Sequence, residues 1–204
     1  MQIICNDCYS GFLNRLLDRQ FENPFYWSRI YAKDFYNLLE KYEKLNYNDI
    51  EIKLNKDFTN EFKLWTCDAF SPVIICDGIR IFYNHYKYNQ NDKVPRIEIP
   101  DVYYYKNYEY CYEKWIKRSK RITKEKPLVI FHYNDRTNDK NEEVLKIFEL
   151  CKKKDYKLIF ISDVPISGID NKNIFFIQIK NVCGKEVEEQ VKETFNQIKS
   201  FINE

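Results

Sequence analysis

Residues 127–162 read PLVIFHYNDRTNDKNEEVLKIFELCKKKDYKLIFIS, and the fold class follows from them. The apolar β-prone run Leu128-Val129-Ile130-Phe131 is followed by a polar stretch. Next come apolar positions at helical spacing between about Glu142 and Lys152, and then a second run, Leu158-Ile159-Phe160-Ile161. Continuous apolar strands separated by one helix are the mark of a βαβ unit, in which both sheet faces are covered. The pattern continues outward: a third run at Ile174-Phe175-Phe176-Ile177 precedes a helix from about Glu186 to Phe201. Toward the N-terminus, Gln2-Ile3-Ile4-Cys5 reads as another strand. It breaks at Asn6-Asp7-Cys8-Tyr9-Ser10-Gly11 and passes into helical spacing at Phe12, Leu16 and Leu17. Asn23-Pro24 ends that unit, because the residue before proline avoids the helical region.

The middle of the chain differs. A helix from about Ala32 to Leu45 puts Phe35, Leu38, Leu39 and Tyr42 on one face, and a weaker strand covers Ile50 to Leu54. Pro72-Val73-Ile74-Ile75-Cys76 and Ile79-Arg80-Ile81-Phe82-Tyr83 flank Asp77-Gly78, a pair that accepts the positive φ angles of a type I′ turn, so a hairpin is expected. Residues 84–106 are polar, carry Pro95 and Pro100, and read as a long loop. A basic helix from about Tyr108 to Arg121 follows. The expected fold is a single three-layer α/β domain over 1–204, with a mostly parallel sheet plus an antiparallel hairpin.

Composition sets the outer limits. The chain has 204 residues, 44% hydrophobic and 31% charged, with 33 Lys+Arg against 31 Asp+Glu and a net charge of +2. That balance speaks against a general nucleic-acid binder, so no nucleic-acid partner is expected. No run approaches the roughly 18 apolar residues of a membrane span. The protein is expected not to be integral to a membrane, a reading compatible with peripheral association. Met1-Gln2-Ile3-Ile4-Cys5 lacks the basic-then-apolar character of a secretory signal. Seven cysteines, odd in number and irregular in spacing, fit reduced thiols and a cytoplasmic location. Cys5-Asn6-Asp7-Cys8 is a C-x-x-C without a second pair, so no metal is expected. Four glycines leave no Walker or dinucleotide loop, and no cofactor is expected. The 17 tyrosines and 15 phenylalanines reflect a general bias more than any one aromatic site.

Candidate chemistry gathers where strands end. In an open α/β sheet, ligands bind beyond the carboxyl ends of the strands. The loop Asn6-Asp7-Cys8 stands at such an end and before a helix, whose N-terminus lowers a thiol's pKa and can hold an anion. Cys8 is the candidate nucleophile, with Asp7 in support and Asn6 and Ser10 lining the site. If the strand Leu128–Phe131 is parallel to the first, His132 lies at the same edge, with Asp135 and Asp163. His85, after the hairpin, is the other candidate catalytic histidine. Arg118 and Arg121 stand three apart on the basic helix and can clamp an anionic donor; Trp115 beside them reads first as a core residue and second as a sugar platform.

The opening segment 3–11 also resembles the Asn-Asn-Cys-Trp-Gly-Gly start of a bacterial domain of unknown function whose members are often labelled exopolysaccharide biosynthesis proteins. Asn23-Pro24-Phe25 with Asp34-Phe35, Ser71-Pro72-Val73 with Asp77 and His85-Tyr86, and Lys114-Trp115 with Arg118, Arg121 and Ile122 resemble further segments of that family, in the same order across most of residues 1–135. Asp7 replaces an Asn of that pattern, Tyr9 a Trp and Ser10 a Gly. The Asn6–Cys8 loop is also similar, more loosely, to the Asn-Cys loop of capsule acetyltransferases related to the SGNH hydrolases. The resemblance implies surface-polysaccharide assembly. It suggests a transferase that takes an acyl or glycosyl group from a CoA or nucleotide-sugar donor to a glycan, or else a non-catalytic module binding a glycan or nucleotide-sugar.

Overall fold

The computed structural model describes residues 2–7, 13, 16–17, 23–25, 28–54, 58, 72–83, 101–123, 125–133, 141–162, 172–178 and 184–203. Strands β1 (Ile3–Cys5), β6 (Leu128–Tyr133), β7 (Lys157–Ser162) and β8 (Ile174–Gln178) form a sheet in the order β1-β6-β7-β8, parallel throughout. Strands β2 (Ser28–Arg29), β3 (Ile50–Leu54), β4 (Pro72–Cys76) and β5 (Ile79–Tyr83) form a separate antiparallel sheet in the order β2-β5-β4-β3. The helices are α1 (Ala32–Lys41), α2 (Asp101–Ser119), α3 (Asn141–Lys154) and α4 (Gly184–Asn203). The fold is α/β, as the alternation of runs predicts.

Each strand of the parallel sheet divides its apolar residues between two cores by the two-residue side-chain period. Ile3, Cys5, Leu128, Ile130, Ile159, Ile161 and Ile177 face Leu13 of the first helical turn and Ile198 and Phe201 of α4. Ile4, Val129, Phe131, Leu158 and Phe160 face Phe35 of α1 and Val144, Ile147 and Phe148 of α3. The second face carries an aromatic ladder. Phe131, Phe160 and Phe176 are register partners on adjacent strands, and each successive ring pair is stacked at 5.9 Å. Such cross-strand pairs are worth roughly 0.5–1 kcal/mol each. They help explain a run of strands with so few polar interruptions.

The hairpin forms as the Asp-Gly pair predicts. Asp77 (φ 50°) and Gly78 (φ 76°) both take the left-handed conformation that a type I′ turn requires, and Cys76 pairs with Ile79. The hairpin is widened by β3 beside β4 and by the two-residue β2 beside β5. Its inner residues Ile74, Ile79 and Ile81 join the same apolar cluster as Phe35 and Leu38, so α1 lies between the two sheets.

One boundary is corrected. Helix α2 begins at Asp101, not near Tyr108, so residues 101–106 are helical and not loop. Pro100 followed by Asp101 is a helix-start signal, a proline and then an acid where the macrodipole favours negative charge. Residues 84–100 lie outside the described residues.

A buried ion pair ties α1 to β5. Arg80 reaches Asp34 through Nε at 3.0 Å and Nη2 at 2.9 Å, and the Asp34 side chain is only 4% exposed. Burial holds the Asp34 carboxyl above its ordinary range, against the pull of the Arg80 guanidinium. A carboxyl that keeps its proton to higher pH when folded favours folding at low pH, and that contribution is lost as pH rises through the folded value. Arg80→Gln leaves the carboxylate uncompensated. It is expected to cost about 2–3 kcal/mol at neutral pH, with Arg80 partly exposed. The deficit should shrink as Asp34 becomes protonated in mild acid. Urea unfolding of both proteins across that range measures it, and a deficit independent of pH would contradict this account.

Candidate active site

The parallel sheet presents its carboxyl edge after Cys5, Tyr133 and Ser162. At that edge β1 turns away from β6, and the side chain of Asn6 continues the ladder in its place. Asn6 Nδ2 donates to the His132 carbonyl at 3.0 Å, and the His132 N–H donates to Asn6 Oδ1 at 2.7 Å. The Asn6 N–H reaches the Ile130 carbonyl at 3.3 Å, and the Asn6 carbonyl accepts from the Ile30 N–H at 2.8 Å. Asn6 is fully buried. One amide thus anchors the end of β1, the segment entering α1, and the backbone of His132.

With both backbones held, the side chains of Asp7 and His132 meet. Asp7 Oδ2 pairs with His132 Nδ1. The other carboxylate oxygen, Oδ1, accepts from the Cys5 thiol at 3.3 Å, and the Asp7 N–H points to Cys5 Sγ at 3.5 Å. Cys5, Asp7 and His132 thus form a line of polar contacts on the sheet face that α4 covers, the face shared by Ile130 and Ile161. Asp7 is 7% and His132 3% exposed. A carboxylate on Nδ1 holds the neutral imidazole with its proton on that nitrogen. The lone pair is then on Nε2, the arrangement of a general base whose charged form is stabilised by its partner.

Of the residues singled out by sequence, Asn6 and Asp7 come together with His132 as the parallel order predicts. Cys8, Ser10, His85, Asp135 and Asp163 lie outside the described residues. Two expectations are corrected. Trp115 is fully buried: its indole N–H donates to the Tyr47 carbonyl at 2.6 Å and its ring meets Phe25 edge-on at 5.8 Å, leaving no face for a sugar. Arg118 and Arg121 close α2 at the opposite, amino edge of the sheet. There the Arg121 carbonyl accepts from Gln2 Nε2 at 2.6 Å, and Gln2 immediately precedes β1. About five residues of extended chain, roughly 16 Å, separate Gln2 from Asp7. The structure therefore does not bring the arginines to the Asn6–Asp7 loop.

Cys5 was missed by sequence reasoning. Its signal was the two-residue period, which puts residues 5 and 7 on one face of a strand. Cys76, Cys111 and Cys151 are buried and free, and burial pushes each thiol up to about 12, so they stay protonated at neutral pH. Cys5 is also free. Among the described residues, no group of acidic, thiol and imidazole side chains has the makings of a metal site. No helix among them is long and apolar enough to cross a membrane. No protein-family model matches the chain, and no curated protein matches it in sequence.

Proposed function

We propose that this chain is a group-transfer enzyme of surface-polysaccharide biosynthesis, with Asp7–His132 as its general base. His132 Nε2 takes the proton of a glycan hydroxyl as that oxygen bonds to the acyl or anomeric carbon of an activated donor. The bond from that carbon to the CoA thiolate or nucleotide phosphate breaks, the leaving group departs with the electron pair, and the imidazolium returns the proton to solvent or to the leaving group. Asp7 stabilises the imidazolium in between. Base assistance of this kind contributes about 10²–10⁴-fold in rate. The observation that carries the reading is the Asp7–His132 pair at a sheet's carboxyl edge. The glycan and the donor classes come from the ordered resemblance of segments in residues 1–135. The reduced thiols at Cys76, Cys111 and Cys151 support a reducing, cytoplasmic setting for it.

The low exposure of His132 favours a second reading. In it the pair is a clamp, and the chain is a non-catalytic module that binds a glycan or nucleotide-sugar. A thermal-shift screen of CoA esters and nucleotide-sugars, followed by product analysis with an oligosaccharide acceptor, separates the two. The enzyme reading expects one donor class to raise Tm and to be consumed. Stabilisation by a donor or glycan without turnover supports the module. No shift with either donor class or with glycan would remove both.

A further inference from the structure

The amino edge of the parallel sheet carries more exposed basic than acidic side chains, in a chain whose net charge is only +2. Four groups of contacts define that edge. Gln2 holds the residue just beyond α2, through the Arg121 carbonyl. Lys154 Nζ caps the end of α1 at the Leu39 and Glu40 carbonyls, at 3.0 and 2.8 Å. Lys157 Nζ caps the end of α4 at the Phe201 and Ile202 carbonyls, at 2.8 and 3.3 Å. Asp155, in the turn from α3 to β7, takes Lys126 at 2.8 Å and Asn173 at 2.8 Å, which brings in the approaches to β6 and β8. The C-terminal ends of α1, α2, α3 and α4 and the starts of β1, β6, β7 and β8 therefore share one end of the described structure.

Exposed on that end are Lys44, Lys120, Arg121, Lys126, Lys152, Lys153 and Lys172, against the acidic Glu40, Glu43, Glu125 and Asp155. Helix dipoles account for basic residues in the last turn of α3. They also favour Lys120 and Arg121, which follow directly on α2, but not Lys126 and Lys172, which stand at the approaches to β6 and β8. We propose that this basic end is a docking surface for an anionic membrane leaflet, a role separate from the group-transfer reading and independent of it. Charge complementarity carries the assignment. Lysine dominates, and an ammonium adheres to an anionic surface as a point charge without the bidentate geometry that favours arginine at specific phosphate sites. Among the described residues, the exposed aromatics Tyr112 and Phe176 lie within α2 and β8 instead of at this end, so none of them offers a ring there on which a single-stranded nucleic acid would stack. Docked this way, the molecule turns its Asp7–His132 edge away from the lipid.

Each basic side chain at an anionic leaflet is worth roughly fivefold in partitioning, and screening by salt weakens it. The test is co-sedimentation of the full chain with phosphatidylcholine vesicles, with and without one third phosphatidylserine, at low and at high salt. Binding to the anionic vesicles alone, lost at high salt, is expected. Lys120→Gln/Lys153→Gln/Lys172→Gln should lower partitioning at least tenfold. Lys33→Gln/Lys53→Gln/Lys146→Gln, with the same net charge but altered outside this end, should keep it within about twofold. Circular dichroism confirms that both variants are folded. No binding by the unaltered chain, equal loss in both variants, or release from vesicles by an equal charge of single-stranded oligonucleotide would each overturn the proposal.

Discussion

Trp115→Ala is expected to destabilise the protein by about 3–5 kcal/mol, the range for deleting a fully buried large aromatic. Two costs add. The first is the transfer and cavity term for a ring that is 0% exposed and touches Phe25. The second is the Tyr47 carbonyl, which loses the indole donor that holds it at 2.6 Å. Tyr47 is itself in a linked set: its hydroxyl donates to the Tyr42 carbonyl at 2.7 Å, and the Tyr42 hydroxyl meets Gln2 Oε1. The loss should therefore loosen the junction of α2 with the start of β1. Trp115→Phe keeps most of the packing and removes only the donor, so it should cost clearly less. Chemical denaturation of the three proteins measures both. A Trp115→Ala loss below about 1 kcal/mol would show that the ring is not the core residue described.

The other large effect belongs to the site. With whichever donor and acceptor the screen identifies, His132→Gln is expected to lower kcat by about 10²–10⁴-fold, the usual value of a positioned base. The donor KM should change little, because the imidazole acts on the acceptor hydroxyl. Asp7→Asn should lose a large part of the same factor. An amide can present either end to Nδ1 and carries no charge to stabilise the imidazolium. Cys5→Ser, which keeps a hydrogen-bond donor beside Asp7 Oδ1, should retain more activity than Cys5→Val, which removes it. Turnover within threefold of the parent in His132→Gln would assign the pair to structure and favour the binding module.

The parallel sheet was legible because Leu128–Phe131 and Leu158–Ile161, its two central strands, are apolar on both faces, as covered strands must be; Ile174–Ile177 shows the same run although β8 is an edge strand with only Ile177 buried. The Asp77-Gly78 turn was legible because few residue pairs tolerate two positive φ angles. The second sheet was legible only strand by strand: the hairpin and the Ile50–Leu54 strand could be read, but not their pairing into one sheet, nor β2, whose two residues are too few for any period to show. At the site, Asn6, Asp7 and His132 could be placed by strand order alone. That they touch could not, because the contact depends on the Asn6 amide reading both backbone groups of His132. The arginines were misplaced although the order held the answer. A helix that returns directly to the start of β6 must end at the amino edge, and Arg121 stands on that short return to Leu128. For Trp115 the sequence left core and sugar platform both open, with core preferred, because burial of a helical aromatic depends on what faces it, here Phe25 and Tyr47 from distant parts of the chain.

The most direct test of the Asp7–His132 assignment is the tautomer of His132. The chain has two histidines, so a long-range ¹H–¹⁵N correlation spectrum of histidine-labelled protein is assigned by comparison with His132→Gln. At a pH where the ring is neutral, the account predicts His132 with its proton on Nδ1 and a bare, pyridine-like Nε2. In Asp7→Asn that preference should be lost or reversed. A His132 ring protonated on Nε2 alone, unchanged when Asp7 becomes Asn, would contradict the general-base arrangement on which the proposed function stands.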